Sequence, residues 1–152
     1  MTEICFTCLN ISGQQRISPG PFIYTGQYWV VDHAYPSSLL GWLVILPKRH
    51  ITAMHEITFK EFQELAEIEY KLVQVIHKDP TIEKKYFMCF AEGEGFHHVH
   101  FHMVPKPYNL PHELIGPRVF AFLNTEFQPA IAAPEIIKFC EAYTKTFQQI
   151  DL

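Results

Sequence analysis

The sequence lacks a long apolar run, an excess of basic residues and any repeated or low-complexity tract. No stretch approaches the roughly 20 apolar residues that span a bilayer. Residues 1–10 contain no basic region followed by an apolar one, so we expect no signal peptide. The formal net charge is -4, from 12 basic and 16 acidic side chains, which argues against binding to nucleic-acid polymers or anionic membranes. We therefore expect a cytoplasmic protein with small-molecule ligands.

Length and composition favour a single domain. The 152 residues, of which 48% are hydrophobic, suffice for one substantial core and are too few for two ordinary domains. The 11 prolines are scattered along the chain and mark no linker. We predict one domain over residues 1–152.

Runs of β-branched and aromatic residues predict about five strands. Two short runs on either side of Gly26 indicate a hairpin, and a loop should follow it at 32–38. A nearly continuous apolar run that ends at Pro47 indicates a strand buried within the sheet. The last predicted strand alternates polar and apolar residues and is closed by Pro105. The predicted strands cover residues 22–24, 28–31, 39–46, 86–91 and 98–104.

Two main helices are predicted. Thr58 and Glu61 form a capping-box pattern that starts the first helix, which should end near Asp79. Its apolar stripe consists of Phe62, Leu65, Ile68, Leu72, Val73 and Ile76. The second helix should begin at Pro134 and cover about residues 134–149. The order of strands, helix, strands and helix predicts an α+β fold in which helices pack on an antiparallel sheet.

Four of the nine histidines lie within six positions, in the run His-His-Val-His-Phe-His over 97–102. On a strand, His98, His100 and His102 would project from one face, roughly 6.5 to 7 Å apart, because each residue rises about 3.3 Å. That spacing suits neighbouring contacts along one phosphate chain. Two other interpretations stay open, a solvated strand face and a single metal held by all three rings. His97 would lie on the opposite face in a structural role.

Cys5 and Cys8 are separated by two residues, whereas Cys89 and Cys140 stand alone in apolar surroundings. In a reducing compartment this spacing indicates a metal more than a disulfide. The pair supplies only half of a tetrahedral zinc site, so two more ligands would have to come from elsewhere. A reduced pair without metal and a redox pair are the alternatives. Redox use is less favoured because the pair precedes the first predicted strands.

Residues 98–104 resemble the signature of the histidine triad superfamily, which is His, apolar, His, apolar, His, apolar, apolar. This sequence matches it at every position, with Val99, Phe101, Met103 and Val104 as the apolar residues. The resemblance extends to residues 47–50 and to the cysteine pair, so it covers roughly residues 4–108. Residues 109–152 form an extension without a recognised motif. The resemblance implies the superfamily's fold and, usually, a two-fold homodimer joined through an edge strand and the long helix.

The resemblance also implies a reaction. In similar proteins the middle histidine attacks the α-phosphate of a nucleotide and holds the nucleoside monophosphate until water releases it. That role falls on His100, and His102 would donate to the non-bridging oxygens or help to protonate the leaving group. On this resemblance, the chemical step would need no cofactor. The implied activity is hydrolysis of nucleoside monophosphate conjugates or dinucleoside polyphosphates.

Two other functions are kept as alternatives. The related uridylyltransferases have proline between the first two histidines and glutamine at the third, where this sequence has Val99 and His102. This difference favours water over a sugar phosphate as the final acceptor, although a nucleotidyltransferase stays an alternative. The second alternative is a nucleotide-binding regulatory protein with negligible turnover.

For the metal, the resemblance implies a particular ligand set. Zinc-binding members of the superfamily complete the site with a histidine after the Pro-Lys strand and with the first triad histidine. Those positions are His50 and His98 here, beside Cys5 and Cys8. Two thiolates and two neutral imidazoles form a closed site, so the zinc would be structural.

Ligand contacts are implied at five further positions, and three sequence differences bear on them. Asp32 and His33 follow a strand where similar proteins contact the ribose, and a surface loop is the alternative interpretation. Phe6 would line the base pocket or be a buried aromatic residue of the core. Glu94 and Gly95 stand where relatives often have Gln and then Ser or Thr, so Glu94 is predicted to favour a cationic or amine leaving group. The third difference is Trp42, which stands where relatives often carry a histidine and is expected to reshape the nucleoside pocket.

Overall fold

One five-stranded antiparallel sheet organises the chain in the computed structural model, which describes residues 3–152. The strand order across the sheet is β1-β2-β3-β5-β4, and every neighbouring pair is antiparallel. The predicted α+β fold with five antiparallel strands is confirmed. The strands are β1 (Tyr24–Thr25), β2 (Trp29–His33), β3 (Leu43–Pro47), β4 (Ile82–Met88) and β5 (Phe101–Pro107).

Within residues 3–152, three α-helices accompany the sheet: α1 (Phe6–Ser12), α2 (Phe59–His77) and α3 (Ala133–Gln148). The two main helices lie where they were predicted, and α1 was not predicted. Short 3₁₀ turns cover Met54–Glu56, His112–Leu114 and Gly116–Leu123. Across the described residues, 3–152, no helix combines the length and apolarity needed to cross a bilayer.

The two faces of the sheet are covered differently. Helices α2 and α3 pack on one face, around a core that includes Val31, Leu43, Ile45, Leu65, Leu72, Phe101, Met103 and Ile136. The other face is covered by residues from the extension that carries no motif. Leu110, Leu114, Val119 and Phe122 pack there with Trp42 and Val104. The extension therefore packs directly on the sheet.

The segment that carries the three histidines, residues 98–104, which we call the triad segment, differs from its prediction. Strand β5 begins at Phe101, not at His98, because its pairing with β3 is limited to residues 101–103. Before that, the backbone amide of Val99 donates to Ile51 O instead of to a strand. The strand also continues through Pro105 to Pro107. Proline is tolerated there because the pairing with β3 has already ended.

The boundaries of the other strands differ from the predictions as well. Strand β1 covers residues 24–25 instead of 22–24. Strand β2 extends through Asp32 and His33, which pair with the start of β3. Strand β3 begins at Leu43 because Gly41, with φ +88°, turns the chain before it. Strand β4 covers residues 82–88 instead of 86–91, because a polar stretch with little alternation pairs with β5.

Helix α2 begins with the predicted capping box. The Thr58 hydroxyl accepts from the Glu61 amide at 3.3 Å, and the Glu61 carboxylate accepts from the Thr58 amide at 2.7 Å. Phe62, which was predicted to lie in the buried apolar stripe of α2, is 39% exposed. Val75, which was not predicted to lie in that stripe, is buried.

We predict that Thr58→Ala lowers the free energy of unfolding by about 1 kcal/mol, because the first turn of α2 loses its side-chain cap. The control is Thr146→Ala in α3, where the hydroxyl donates to a carbonyl one turn earlier within the helix. This control should change stability by less than about 0.5 kcal/mol. Urea denaturation measures both values, and equal losses would contradict the role of the cap.

Candidate active site and metal centre

A cavity of about 500 Å³ opens on the sheet face opposite α2 and α3. Its floor includes a row of paired residues across three strands, Asp32, Val44 and His102. Its walls come from α1, from the loop 91–96 and from the 3₁₀ turn 116–123. The volume lies within the range of about 300–1,000 Å³ typical of small-molecule sites.

His100 and His102 both line this cavity, and His98 points elsewhere. The ring centroids of His100 and His102 are 4.9 Å apart, closer than the 6.5 to 7 Å expected for successive residues on one strand face. The prediction of three imidazoles side by side on a strand is wrong in this respect. His98 and His100 precede β5, so the backbone there is free to turn the first ring away from the cavity.

Hydrogen bonds fix the protonation pattern of His100. Its Nδ1 donates to the backbone carbonyl of His98 at 2.8 Å, which places the lone pair of the neutral ring on Nε2. Burial lowers the pKa of His100. At neutral pH the ring is therefore uncharged and has a lone pair available for attack.

His102 has a different partner. Its Nδ1 accepts a hydrogen bond from the indole Nε1 of Trp42 at 3.0 Å. Burial, with a smaller contribution from His100, lowers the pKa of His102 to about 3. This ring is therefore also neutral at pH 7.

Four potential metal ligands meet beside the cavity. The ligand atoms of Cys5, Cys8, His50 and His98 all lie within 4.8 Å of one another. His98 Nδ1 is 3.6 Å from Cys5 Sγ and 3.4 Å from Cys8 Sγ, and His50 Nδ1 is 3.3 Å from Cys8 Sγ. A sulfur and a nitrogen on one tetrahedral zinc are about 3.6 Å apart, given bond lengths of about 2.3 and 2.0–2.1 Å. The cluster therefore fits a tetrahedral zinc ion.

The histidine protonation also suits a metal. His98 Nε2 donates to the carbonyl of Pro47 at 2.9 Å, so the lone pair of the neutral ring lies on Nδ1 and faces the thiols. Burial lowers the pKa of His98 to about 4, which keeps that lone pair available. Burial and the neighbouring Cys5 thiol raise the pKa of Cys8 to about 11. A divalent cation would replace the thiol protons on binding.

The cysteine pair lies at the start of α1, a helix that was not predicted. Cys5 is the N-terminal cap of α1, and its sulfur accepts from the Cys8 amide at 3.3 Å. The cap brings both thiols to the end of β3, where Pro47 and His50 lie. The cysteine pair is thus brought together with His50 and His98, which are distant from it in the sequence.

Of the predicted ribose contacts, Asp32 faces the cavity and His33 does not direct its ring there. The Asp32 carboxylate accepts from Arg16 Nη1 at 2.7 Å and from Asn10 Nδ2 at 3.0 Å. The His33 ring packs on Phe139 of α3, on the other side of the sheet. Its Nδ1 donates to Ala34 O, and its Nε2 accepts from the Gly41 amide.

The other predicted nucleotide contacts lie behind the cavity wall. The Phe6 ring packs on Phe96, with centroids 5.4 Å apart. Gly95 has φ +75°, and a Cβ on it would lie 2.5 Å from the Phe6 ring, so this contact requires glycine. Glu94 is exposed in the turn, and its neighbours Glu92 and Gly93 line the cavity instead. His97, expected to be structural, is exposed as well.

Several lining residues were missed by the sequence analysis. Thr7 and Asn10 come from α1, and Phe120 and Leu123 come from the extension. The apolar spacing of residues 119–123 was a signal for a helical turn, but it did not indicate which face of the sheet the turn covers. Within residues 3–152, no lysine or arginine side chain lines the cavity. Neutral imidazoles and backbone groups would have to meet the charge of a phosphate.

Solved structures share this fold. A zinc-bound histidine triad family protein from Mycobacterium smegmatis aligns with a TM-score of 0.68 and 14% identity over 97% of both chains. A hypothetical histidine triad nucleotide-binding protein from Sulfolobus tokodaii aligns with a TM-score of 0.65 and 15% identity, over 95% of this chain and 92% of that one. A Hit-like protein involved in cell-cycle regulation from Bartonella henselae aligns with a TM-score of 0.68 and 14% identity, over 93% of this chain and 95% of that one.

The sequence itself matches a known family. No curated protein is detectably similar to the whole sequence. Residues 7–114, however, match the family described as "Scavenger mRNA decapping enzyme C-term binding". This match covers well over half of the chain and includes His100 and His102. The chain therefore belongs to this family, within the histidine triad superfamily.

Proposed function

We propose that this protein is a cytoplasmic hydrolase of small nucleotides, acting on nucleoside monophosphate conjugates or dinucleoside polyphosphates, with His100 as the nucleophile. One observation carries the proposal. The His98 carbonyl accepts the Nδ1 proton of His100 at 2.8 Å, so the neutral ring holds its lone pair on Nε2 in a ring that lines the cavity.

The proposed reaction has two displacements at phosphorus. First, the Nε2 lone pair of His100 forms a bond to the α-phosphorus, and the bond to the leaving group breaks. The leaving group departs with the electron pair of the bond that breaks, and it takes a proton from solvent. Water then attacks the phosphorus and releases a proton, and the electron pair of the broken phosphorus-nitrogen bond returns to Nε2. The His98 carbonyl stabilises the positive charge on the ring of the intermediate through its Nδ1 proton.

Electrostatics favour one substrate class over the other. Glu92 lines the cavity, and no lysine or arginine in the described residues does so. A dinucleoside polyphosphate would bring several negative charges to a site with no cationic side chain to bind them. A nucleoside monophosphate joined to a neutral or cationic group brings fewer. We therefore rank amine conjugates ahead of polyphosphates, in line with the expectation drawn from Glu94.

The predicted nucleotide contacts are proposed to act mainly through the cavity wall. Asp32 is the one whose side chain faces the cavity. The hydrogen bond that Asp32 accepts from Asn10 joins α1 to β2, and its ion pair with Arg16 joins β2 to the turn after α1. Phe6 and Gly95 fasten α1 to the loop that carries Glu94. His33 braces the end of β2 on α3. These contacts would shape the subsites for ribose, base and leaving group.

We propose that the metal cluster holds one structural zinc ion. Its four ligands would fill a tetrahedral coordination sphere, leaving no position for water. Cys5 caps α1 and Cys8 lies within it, while His50 follows β3 and His98 precedes β5. Such a site would hold the His98 carbonyl where it accepts from His100.

We predict that His100→Ala lowers turnover by at least about 10³-fold because it removes the nucleophile. The measurement is release of AMP or GMP from nucleoside phosphoramidates and from dinucleoside polyphosphates. The matched control is His97→Ala, an exposed histidine of the same run, which should retain activity. Circular dichroism should show that both variants are folded.

Undiminished turnover in folded His100→Ala would rule out His100 as the nucleophile. Tight nucleotide binding by the wild-type protein, with no product, would favour a regulatory protein instead. Transfer to a sugar phosphate in preference to water would favour a nucleotidyltransferase.

We predict that protein purified without chelator contains about one zinc per chain. Cys8→Ala should lose the metal and melt at a lower temperature, because its thiolate would be one of four ligands. Cys89→Ala should keep the metal, since Cys89 lies outside the cluster. Elemental analysis and thermal denaturation provide the measurements. Fully stable wild-type protein without metal would contradict the structural role.

The superfamily resemblance leads us to propose a homodimer. Helix α2 carries exposed apolar side chains at Phe59, Phe62 and Tyr70, of which Phe59 is 77% exposed. The edge strand β4 has a free side for pairing within the described chain. Light scattering should give twice the chain mass of 17.7 kDa. Phe59→Glu should shift the protein toward monomer, and a monomeric wild type would end the proposal.

A further inference from the structure

Trp42 connects the third triad histidine to the buried core. The indole Nε1 donates to His102 Nδ1 at 3.0 Å, and Trp42 is fully buried. The two rings meet edge to face at 89°, with centroids 5.8 Å apart. Phe120 packs against both rings, with its centroid 5.2 Å from Trp42 and 5.0 Å from His102. The orientation of the His102 ring is therefore set by both packing and a hydrogen bond.

This hydrogen bond decides where the His102 proton lies. An indole N–H can only donate, so the His102 Nδ1 that it meets must hold a lone pair. A neutral His102 then carries its single ring proton on Nε2. His100 has the reverse pattern, because a carbonyl accepts from its Nδ1. Two rings only 4.9 Å apart thus have opposite tautomers, one with a lone pair on Nε2 and the other with a proton there.

We propose that Trp42 is a positioning residue that fixes His102 as the neutral Nε2–H tautomer, so that His102 presents a hydrogen-bond donor to the group bound beside His100. The catalytic consequence rests on the proposed function. The tautomer itself is a property of the free protein and can be tested without any substrate.

The proposal selects between the two roles that the superfamily resemblance leaves to His102. Protonating a leaving group would require His102 to give up its only ring proton, or first to gain a second proton on Nδ1. The second proton would break the bond from Trp42, because Nδ1 would then have no lone pair to accept it. A fixed Nε2–H donor can instead stabilise negative charge on a non-bridging phosphate oxygen. His102 therefore acts as an oxyanion donor and not as an acid.

The direct test is nitrogen-15 NMR of the wild-type protein labelled at histidine, without substrate, at pH 7. The His102 signals are assigned by their loss in His102→Ala. We expect His102 Nδ1 to be unprotonated and Nε2 to carry the proton. A proton on Nδ1, or protons on both nitrogens, would overturn the proposal. This measurement needs no variant of Trp42.

A matched pair of variants tests the role of the indole. The sequence has two tryptophans, both fully buried, and Trp29 donates through Nε1 to the Glu61 carbonyl at 2.8 Å. Trp42→Phe and Trp29→Phe therefore each remove one buried indole and one hydrogen bond. Both should lower the melting temperature. Only Trp42→Phe should give a mixture of His102 tautomers. It should also lower kcat about tenfold with little change in KM. This loss is smaller than the loss of about 10²–10³-fold that follows from removing an oxyanion donor outright.

A double-mutant comparison separates positioning from a general loss of structure. In a His102→Ala background, Trp42→Phe should cause no further loss of kcat, because the ring it positions is gone. An equal loss in both backgrounds would overturn the proposal. If the wild-type protein shows the expected tautomer but hydrolyses no nucleotide conjugate, the proposed function fails and the assignment of the tautomer stands.

Discussion

The carbonyl and ring of His98 together form the constraint on which the site depends. The carbonyl accepts the Nδ1 proton of His100, and the ring bridges the Pro47 carbonyl and the two thiols of α1. A displacement of His98 would therefore disturb the metal cluster and the proposed nucleophile at once. This arrangement explains how a cluster outside the cavity could support the proposed reaction within it, without supplying any chemistry of its own.

The two cavity histidines show how one residue type can take two roles. Both rings are neutral because burial lowers their pKa values. Their tautomers differ because one meets a carbonyl and the other an indole N–H. The partner of each Nδ1 thus determines whether Nε2 holds a lone pair or a proton. In a cavity without lysine or arginine among its described lining residues, such fixed neutral donors are the groups suited to a phosphate of low charge.

The division of the sheet into two faces determines where a ligand can bind. Helices α2 and α3 fill one face with side chains from a continuous apolar core. The other face is covered partly by residues 110–123, and space remains between that cover and α1. The extension therefore contributes to the cavity through Phe120 and Leu123, although it carries no recognised motif. Superfamily motifs alone would have left this wall unassigned.

The sequence by itself determined the fold class and the two main helices, which follow from local rules, capping at Thr58 and side-chain periodicity. The four candidate metal ligands were implied by the resemblance to the superfamily, because the cysteine pair alone supplies only half of a tetrahedral site. Tertiary structure decided three other features: the residue at which β5 begins, the turn of His98 away from His100, and the burial of Asp32 with Arg16. The role of Trp42 was decided in the same way. Each depends on partners distant in the sequence, such as Pro47 for His98, and no local pattern specifies which of them will meet.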